Sequence, residues 1–295
     1  MNRKFKILII IVLLIGLLGS GWMAYKLYNR HQARKRAEEL ARNLKRPEIR
    51  VTIVEGWDNK RINKYLSETF GANPKLIEVG LKNTQGLEFV SNKKISSLEG
   101  FIFPDTYNLF DPFDINEFVT KTLQNFYDKF TEATKDKLPS EKGYTFSGFG
   151  NLVIDPYDAV IIASIIEKEA GADLSKAGLN KERLLEERRT IAGIFYNRLQ
   201  SGMALESDAT INYITGKSAS AASAKDLEID SPYNTYKYAD LPPTPISNPS
   251  YSSLYAALHP IKTDYYFFLH KQPSGEIVYS KTFDEHVQNK FKYLK

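Results

Sequence analysis

The stretch 161-IIASIIEKEA-170 ends an apolar run in two carboxylates, Glu167 and Glu169. Upstream, Asp155-Pro156-Tyr157-Asp158 is a strong helix start, with Asp155 as N-cap and Pro156 at the first helical position. The spacing predicts a helix from there to about Ala170–Gly171. Residues two apart on a helix differ by about 200° around its axis. Glu167 and Glu169 therefore cannot face one cleft together as an acid/base pair. Glu167 falls on the stripe of Val160, Ala163 and Ser164, and Glu169 nearer Ile162, Ile165 and Ile166. A carboxyl flanked by apolar surface has its charged form disfavoured. One still protonated near neutral pH can protonate a leaving oxygen. The plain alternative is a helix that leaves the core, with both glutamates solvated at its end.

No other nucleophile system competes. The chain has no cysteine, which excludes disulfides, thiol nucleophiles and Cys-ligated metals. His31, His259, His270 and His286 are scattered without metal-ligand spacing, and neither a GxSxG motif nor a phosphate-binding glycine loop is present. No metal or other cofactor is expected. A second cluster of polar residues lies in 98-LEGFIFPDTYNL-109, where Glu99, Asp105 and Tyr107 stand among aromatics and a proline. It reads equally as a site wall or as a loop held by Asp105 in an Asx-type turn.

The elements that must position these groups can be traced along the chain. Residues 7-ILIIIVLLIGLLGSGWMAY-25 follow a basic N-terminus and are long enough to cross a membrane. An uncleaved signal anchor is preferred to a cleaved signal peptide. Counting basic residues on the two sides would place the bulk of the chain in the cytoplasm, but a short charged tail is hard to translocate, so orientation stays open. Residues 26–49 form a charged, helix-prone stalk ended by Pro47. A strand at Arg50–Gly56 and two helices, one from Asp58 to Phe70 and one from Asn73-Pro74 to Leu81, suggest a small α/β module over 50–97. Residues 98–295 form the larger part. An amphipathic helix is expected over 114–137, and a longer one from an Asn180 cap to Gly202 with Leu184, Ile191, Ile194, Phe195 and Leu199 as its stripe. A short helix should run from Ser207-Asp208 to Gly216. Residues 217–226 read as a surface loop. The run 230-DSPYNTYKYADLPPTPISNP-249 has no regular pattern, which in a compact domain often marks function. Asn248-Pro249 should cap a helix through Leu258. A hairpin, 265–270 with 276–280, and a final helix capped from Thr282 close the chain. The fold class is α+β. With 42% hydrophobic and 25% charged residues the chain can bury a core, and its net charge of +5 does not demand nucleic acid.

The runs LEGFIFPDTY (98–107), ASIIEKEA (163–170), FYNRLQSGMALESDATINY (195–213) and SPYNTYKYADLPPTPISNP (231–249), followed by AALHP and YYFFL, resemble the endolytic murein transglycosylases, the YceG-like proteins. The likeness covers about residues 50–295. It implies one N-terminal transmembrane helix in the cytoplasmic membrane, a LysM-like module over 50–97 and an extracytoplasmic catalytic domain. It also implies a lyase that cuts the MurNAc–GlcNAc bond of nascent peptidoglycan strands, the muramyl 6-hydroxyl attacking its own C1 to leave a 1,6-anhydro end and limit strand length. Partners would be glycan strands and, at the elongation machinery, cell-wall synthases. An internal hydroxyl already sits beside the anomeric carbon, so one carboxyl can serve first as acid and then as base. By this resemblance Glu167 is the catalytic residue and Glu169 structural. Glu99, Asp105, Tyr107, Asn197, Arg198, Ser207, Asp208, Thr210, Tyr233, Asn234, Thr235 and Tyr236 are carried over as substrate-binding. Each could instead maintain the fold, Asp208 as an N-cap for example. Ala209 stands where the family usually has proline, Thr244 where it often has glycine. The N-terminal half is also short, which puts glycan binding by the module in doubt. Two rival functions are a non-catalytic peptidoglycan-binding scaffold and a glycoside hydrolase, the latter needing a second carboxylate such as Glu99 or Asp208.

Overall fold

The helix carrying the two glutamates is apolar on every side, and this decides the architecture. In the computed structural model, which describes residues 22–39, 46–87, 90, 95–136, 143–170, 180–217 and 221–294, that helix spans Pro156–Glu169. Asp155 caps it, accepting the Tyr157 N–H at 2.8 Å, and Pro156 occupies the first turn. From Ala159 to Glu167 every side chain is buried. Such a helix is stable only if other elements cover all of its surface.

Numbered in chain order, the elements are β1 (Glu48–Thr52), α1 (Asn59–Phe70), α2 (Pro74–Leu81), β2 (Thr106–Phe110), α3 (Ile115–Thr134), β3 (Tyr144–Thr145), β4 (Val153–Ile154) and the central α4 (Pro156–Glu169). There follow α5 (Lys181–Gln200), α6 (Asp208–Thr215), α7 (Ala224–Leu227), α8 (Tyr251–Leu258), β5 (Phe267–His270), β6 (Ile277–Ser280) and α9 (Phe283–Tyr293). Among the described residues the strands form three two-stranded sheets, β1–β2, β3–β4 and β5–β6, in a mixed α+β fold. Helices α5, α6 and α8 pack on α4, and α3 packs on α8.

The chain divides into two compact units, residues 1–49 with 110–112 and residues 50–109 with 113–295. In the first, residues 22–39 are helical, and Arg46 lies over the Phe110 ring and donates to the Asp111 and Pro112 carbonyls. Among the described residues no helix is long and apolar enough to cross a membrane. The run 7–25 expected as an anchor lies, except for residues 22–25, outside the described residues.

In the second unit, Asp58 caps α1 by accepting the Arg61 N–H, and Gly71, at φ 63°, ends it in a left-handed conformation open to glycine. Asn248 fastens the turn before α1 to the rest. Its Oδ1 accepts the Ile102 N–H, its Nδ2 donates to the Trp57 carbonyl, and its main chain bonds Gly56 and Trp57. That engagement explains a difference from expectation: α8 is capped by Ser250, not by Asn248. A second difference lies in the Ser/Ala-rich stretch. There Ser223 and Asp226 form a capping box that starts α7, so the part expected as loop includes a helical turn. The run 230–249 has no helix or strand, as its pattern suggests.

Gly193 lies where α5 meets the 259–263 segment. A Cβ there would collide with the main-chain oxygen of Ile261, whose own N–H is held by the Arg189 carbonyl. Gly193→Ala should destabilise the fold by about 1–3 kcal/mol, read by denaturant melts, because backbone cannot yield as a side chain can. Glu99 gives a second prediction. It is buried and accepts the Asn59 N–H at the start of α1, and desolvation outweighs that bond, raising its pKa to about 8 from the usual 4.5. Between those values the folded state holds a proton that the unfolded state has lost. The resulting stability is present at pH 4.5 and fades as pH rises towards 8. Glu99→Gln should match the parent protein in thermal melts near pH 5 and exceed it at pH 8.

Candidate active site

At the C-terminal end of α4 the two glutamates diverge, as helical geometry requires, and each lines a different cavity. Glu167 is tied into the fold. Its Oε2 accepts the Ser250 N–H at 2.9 Å and the Ser250 hydroxyl at 2.5 Å, and its Oε1 lies 3.7 Å from Arg188 Nη2. Both members of the pair are almost fully enclosed, with side chains 4% and 5% exposed.

Glu169 has the opposite surroundings. Part of its side chain opens to a cavity of about 400 Å³ lined by Asp208, Asn212, Tyr213 and His270. A second, of about 270 Å³, shares Glu169, Asp208 and His270 and adds Arg198, Tyr236 and His286. The carboxyl accepts from the Ser207 hydroxyl and from the Ala209 N–H. Ser207 is the N-cap residue of α6, yet its side chain makes no capping bond to its own helix. The hydroxyl is turned to Glu169, and the Glu169 carboxyl meets the first turn of α6 in its place. Desolvation is the largest influence on Glu169. With the neighbouring Asp208 charge it raises the pKa against the lowering effects of Ser207, His270 and Ala209.

The expected site residues separate into groups. Around Glu169 stand Ser207, Asp208 and Tyr236, whose hydroxyl donates to Asp208 at 2.8 Å, with Arg198 on the second cavity wall. Thr210 and Thr235 lie beneath, buried, bonded to each other at 2.9 Å and to Ser207. Asn234 holds its own loop by donating to the Leu227 and Ile229 carbonyls. Tyr233 pairs with Thr244 at 2.8 Å. Asn197 is a buried strut donating to the Thr263 and Tyr265 carbonyls. Arg198 bonds the Tyr266, Ala204 and Leu205 carbonyls and Glu206, which it helps hold at φ 52°, a left-handed conformation uncommon outside glycine. Asp105 lines the Glu167 cavity. Glu99 lines a further cavity, of about 580 Å³, beside α1, α2 and Tyr213. Tyr107 is buried and donates to the Phe103 carbonyl at 2.5 Å.

Residues not expected from sequence include Arg188, Ser250, Glu55 and His270. Arg188 carried a readable signal. It sits four residues after Leu184 and three before Ile191, a charge on the buried stripe of α5. Ser250 and His270 carried none, being polar residues at ordinary element ends.

The YceG-like family matches residues 23–292. The chain is 40% identical over 206 residues to the endolytic murein transglycosylase of Bacillus subtilis strain 168, covering 70% of this chain and 51% of that protein. It is 29% identical over 230 residues to that of Streptococcus pneumoniae serotype 2 strain D39, covering 76% of this chain and 36% of that one. The matched part is thus about half or less of these relatives' length. A crystal structure of a putative YceG-like protein from Listeria monocytogenes superimposes with a TM-score of 0.64 at 29% identity, covering 81% of this chain and 75% of that one. The chain belongs to the YceG-like family.

Proposed function

We propose that the chain is an endolytic peptidoglycan lytic transglycosylase that cuts the MurNAc–GlcNAc bond by intramolecular attack of the muramyl 6-hydroxyl. The 40% identity to a transglycosylase supports the reaction class. The observation that carries the mechanism is one carboxyl, Glu169, desolvated at the edge of two joined cavities with its pKa raised. Protonated, it delivers its proton to the leaving glycosidic oxygen as the C1–O bond breaks. As a carboxylate, it then takes the proton of the 6-hydroxyl as that oxygen bonds to C1. No water is consumed and the acid is regenerated. Tyr236, Asp208 and Asn212 are placed to orient the sugar.

For the role of acid these surroundings favour Glu169 over Glu167, reversing the assignment drawn from resemblance. Glu167 is enclosed, its carboxyl taken up by Ser250 and lying beside Arg188, whereas Glu169 opens to the two cavities that a sugar could enter. A second reading is hydrolysis, with Asp208 as the further carboxylate, because it lines both Glu169 cavities.

The reading extends to the rest of the chain. Residues 1–25 would be tail and single-pass anchor in the cytoplasmic membrane and 26–49 a helical stalk. Residues 50–97 would be the LysM-like module, supported by the order β1, α1, α2, and 98–295 the extracytoplasmic catalytic domain. Cell-wall synthases of the elongation machinery would be its neighbours.

Purified full-length protein should release glycan ends one water lighter than reducing ends, read by mass spectrometry. Reducing ends would support hydrolysis, and no new ends would sink both. Glu169→Gln should lower turnover by roughly 10²–10⁴ while keeping the fold. Glu167→Gln should instead lower stability by about 3–5 kcal/mol, because it strands Arg188. A stable Glu167→Gln protein without activity would return the acid role to Glu167. Turnover should fall as pH rises through the Glu169 pKa. Asp208→Asn should move that limb to lower pH by removing a charge that raises it, read from kcat against pH.

A further inference from the structure

The cavity on the Glu167 side is separate from the two that Glu169 lines, and nothing in the proposed reaction uses it. The two sides adjoin along the chain: Gly56 and Lys168, joined by a Lys168 Nζ donation to the Gly56 carbonyl at 3.3 Å, line the Glu169 side, and their neighbours Glu55 and Glu167 line the other. The Glu167 cavity is about 630 Å³ and takes its charged lining from Glu55, Asp105, Glu167, Lys181 and Arg188.

Arg188 is the anomaly. It is 96% enclosed, at 4% exposure, yet its guanidinium makes no hydrogen bond among the described residues. Among the described residues its one ion pair is with Glu167, at 3.7 Å too long for a hydrogen bond. Its Nε is sealed from water without an acceptor. Buried donors left unmatched cost free energy, so a guanidinium held this way against a cavity is set for an acceptor that arrives from outside.

The charges around it say which acceptor fits. Glu167 is already matched by Ser250, and Asp105 accepts from the Thr106 N–H and from Asn125 Nδ2. Lys181, at the rim, forms no ion pair among the described residues. Partial burial and the Glu167 charge both disfavour an ionised Glu55. The unmatched groups are thus the Arg188 fork, the Lys181 ammonium and a carboxyl inclined to keep its proton, a set that suits a carboxylate.

We propose that this cavity docks a carboxylate, and that the carboxylate belongs to the peptide borne by a muramyl residue of the strand being cut. The second half rests on the function proposed above. A peptide leaves the glycan at the muramyl ring, so a strand seated at Glu169 has its peptide next to the adjoining Arg188 side.

The test uses the full chain in detergent micelles, titrated calorimetrically with N-acetylmuramyl pentapeptide and with the same compound amidated at its carboxyl groups. Amidation should weaken binding at least about tenfold. Lys181→Ala, at an exposed position, and Arg188→Lys, which keeps a cation beside Glu167, should each weaken the carboxylate form about fivefold and leave the amide form unchanged. Equal affinity for the two forms, or an unchanged Lys181→Ala protein, would overturn the proposal. Succinate binding as tightly as the pentapeptide would overturn the peptide assignment. The same preparations are assayed on peptide-free strands. Cleavage there without pentapeptide binding defeats the docking site alone. Carboxylate-dependent binding without cleavage supports the site and defeats the lyase reading.

Discussion

The structure turns on the complete burial of α4. A fourteen-residue helix with no polar side must be covered on all sides, and α5, α6 and α8 cover it. Its last turn carries carboxylates into the same enclosed region, where an unmatched charge is expensive. Each glutamate therefore has to be resolved by its neighbours, and the two are resolved in opposite ways. Glu167 receives the start of α8 and a buried arginine from α5. Glu169 receives the start of α6 through Ser207 and Ala209, with His270 nearby, and burial dominates. A single helical offset of two residues thus separates a carboxyl taken up by the fold from one whose pKa burial raises.

The same packing explains why the irregular segments are where they are. The 98–109 stretch supplies β2 and Glu99, and 230–249 supplies Tyr236 and, through Asn248, the clamp on the turn before α1. Outside β2 these segments have no ladder of their own, so side chains such as Asn234 and Asn248 satisfy backbone groups there. Such fixed loops place hydroxyls and aromatics at cavity rims with the precision that an element end alone would lack.

Much of this was legible in the sequence. Asp155-Pro156 marked the start of α4, the stripe of α5 was readable, and the 200° offset ruled out a shared cleft for the two glutamates. The role of each glutamate was not legible, because it depends on Ser250 and Ser207, which reach α4 from 83 and 38 residues away along the chain. Apolar neighbours on α4 itself suggested only that a raised carboxyl was available. Asn248 looked like a helix cap by type and proved to be a long-range fastener, since local propensity cannot see a partner such as Ile102.

The central claim is that burial raises the pKa of the Glu169 carboxyl above that of an ordinary glutamate. Infrared difference spectra between the parent protein and Glu169→Gln, recorded from pH 5 to 9, read this directly. The account predicts a protonated-carboxyl stretch that is lost in the variant and that persists in the parent to higher pH than an ordinary glutamate would allow. An ionised-carboxylate difference throughout that range, with no protonated band assigned to Glu169, would contradict it.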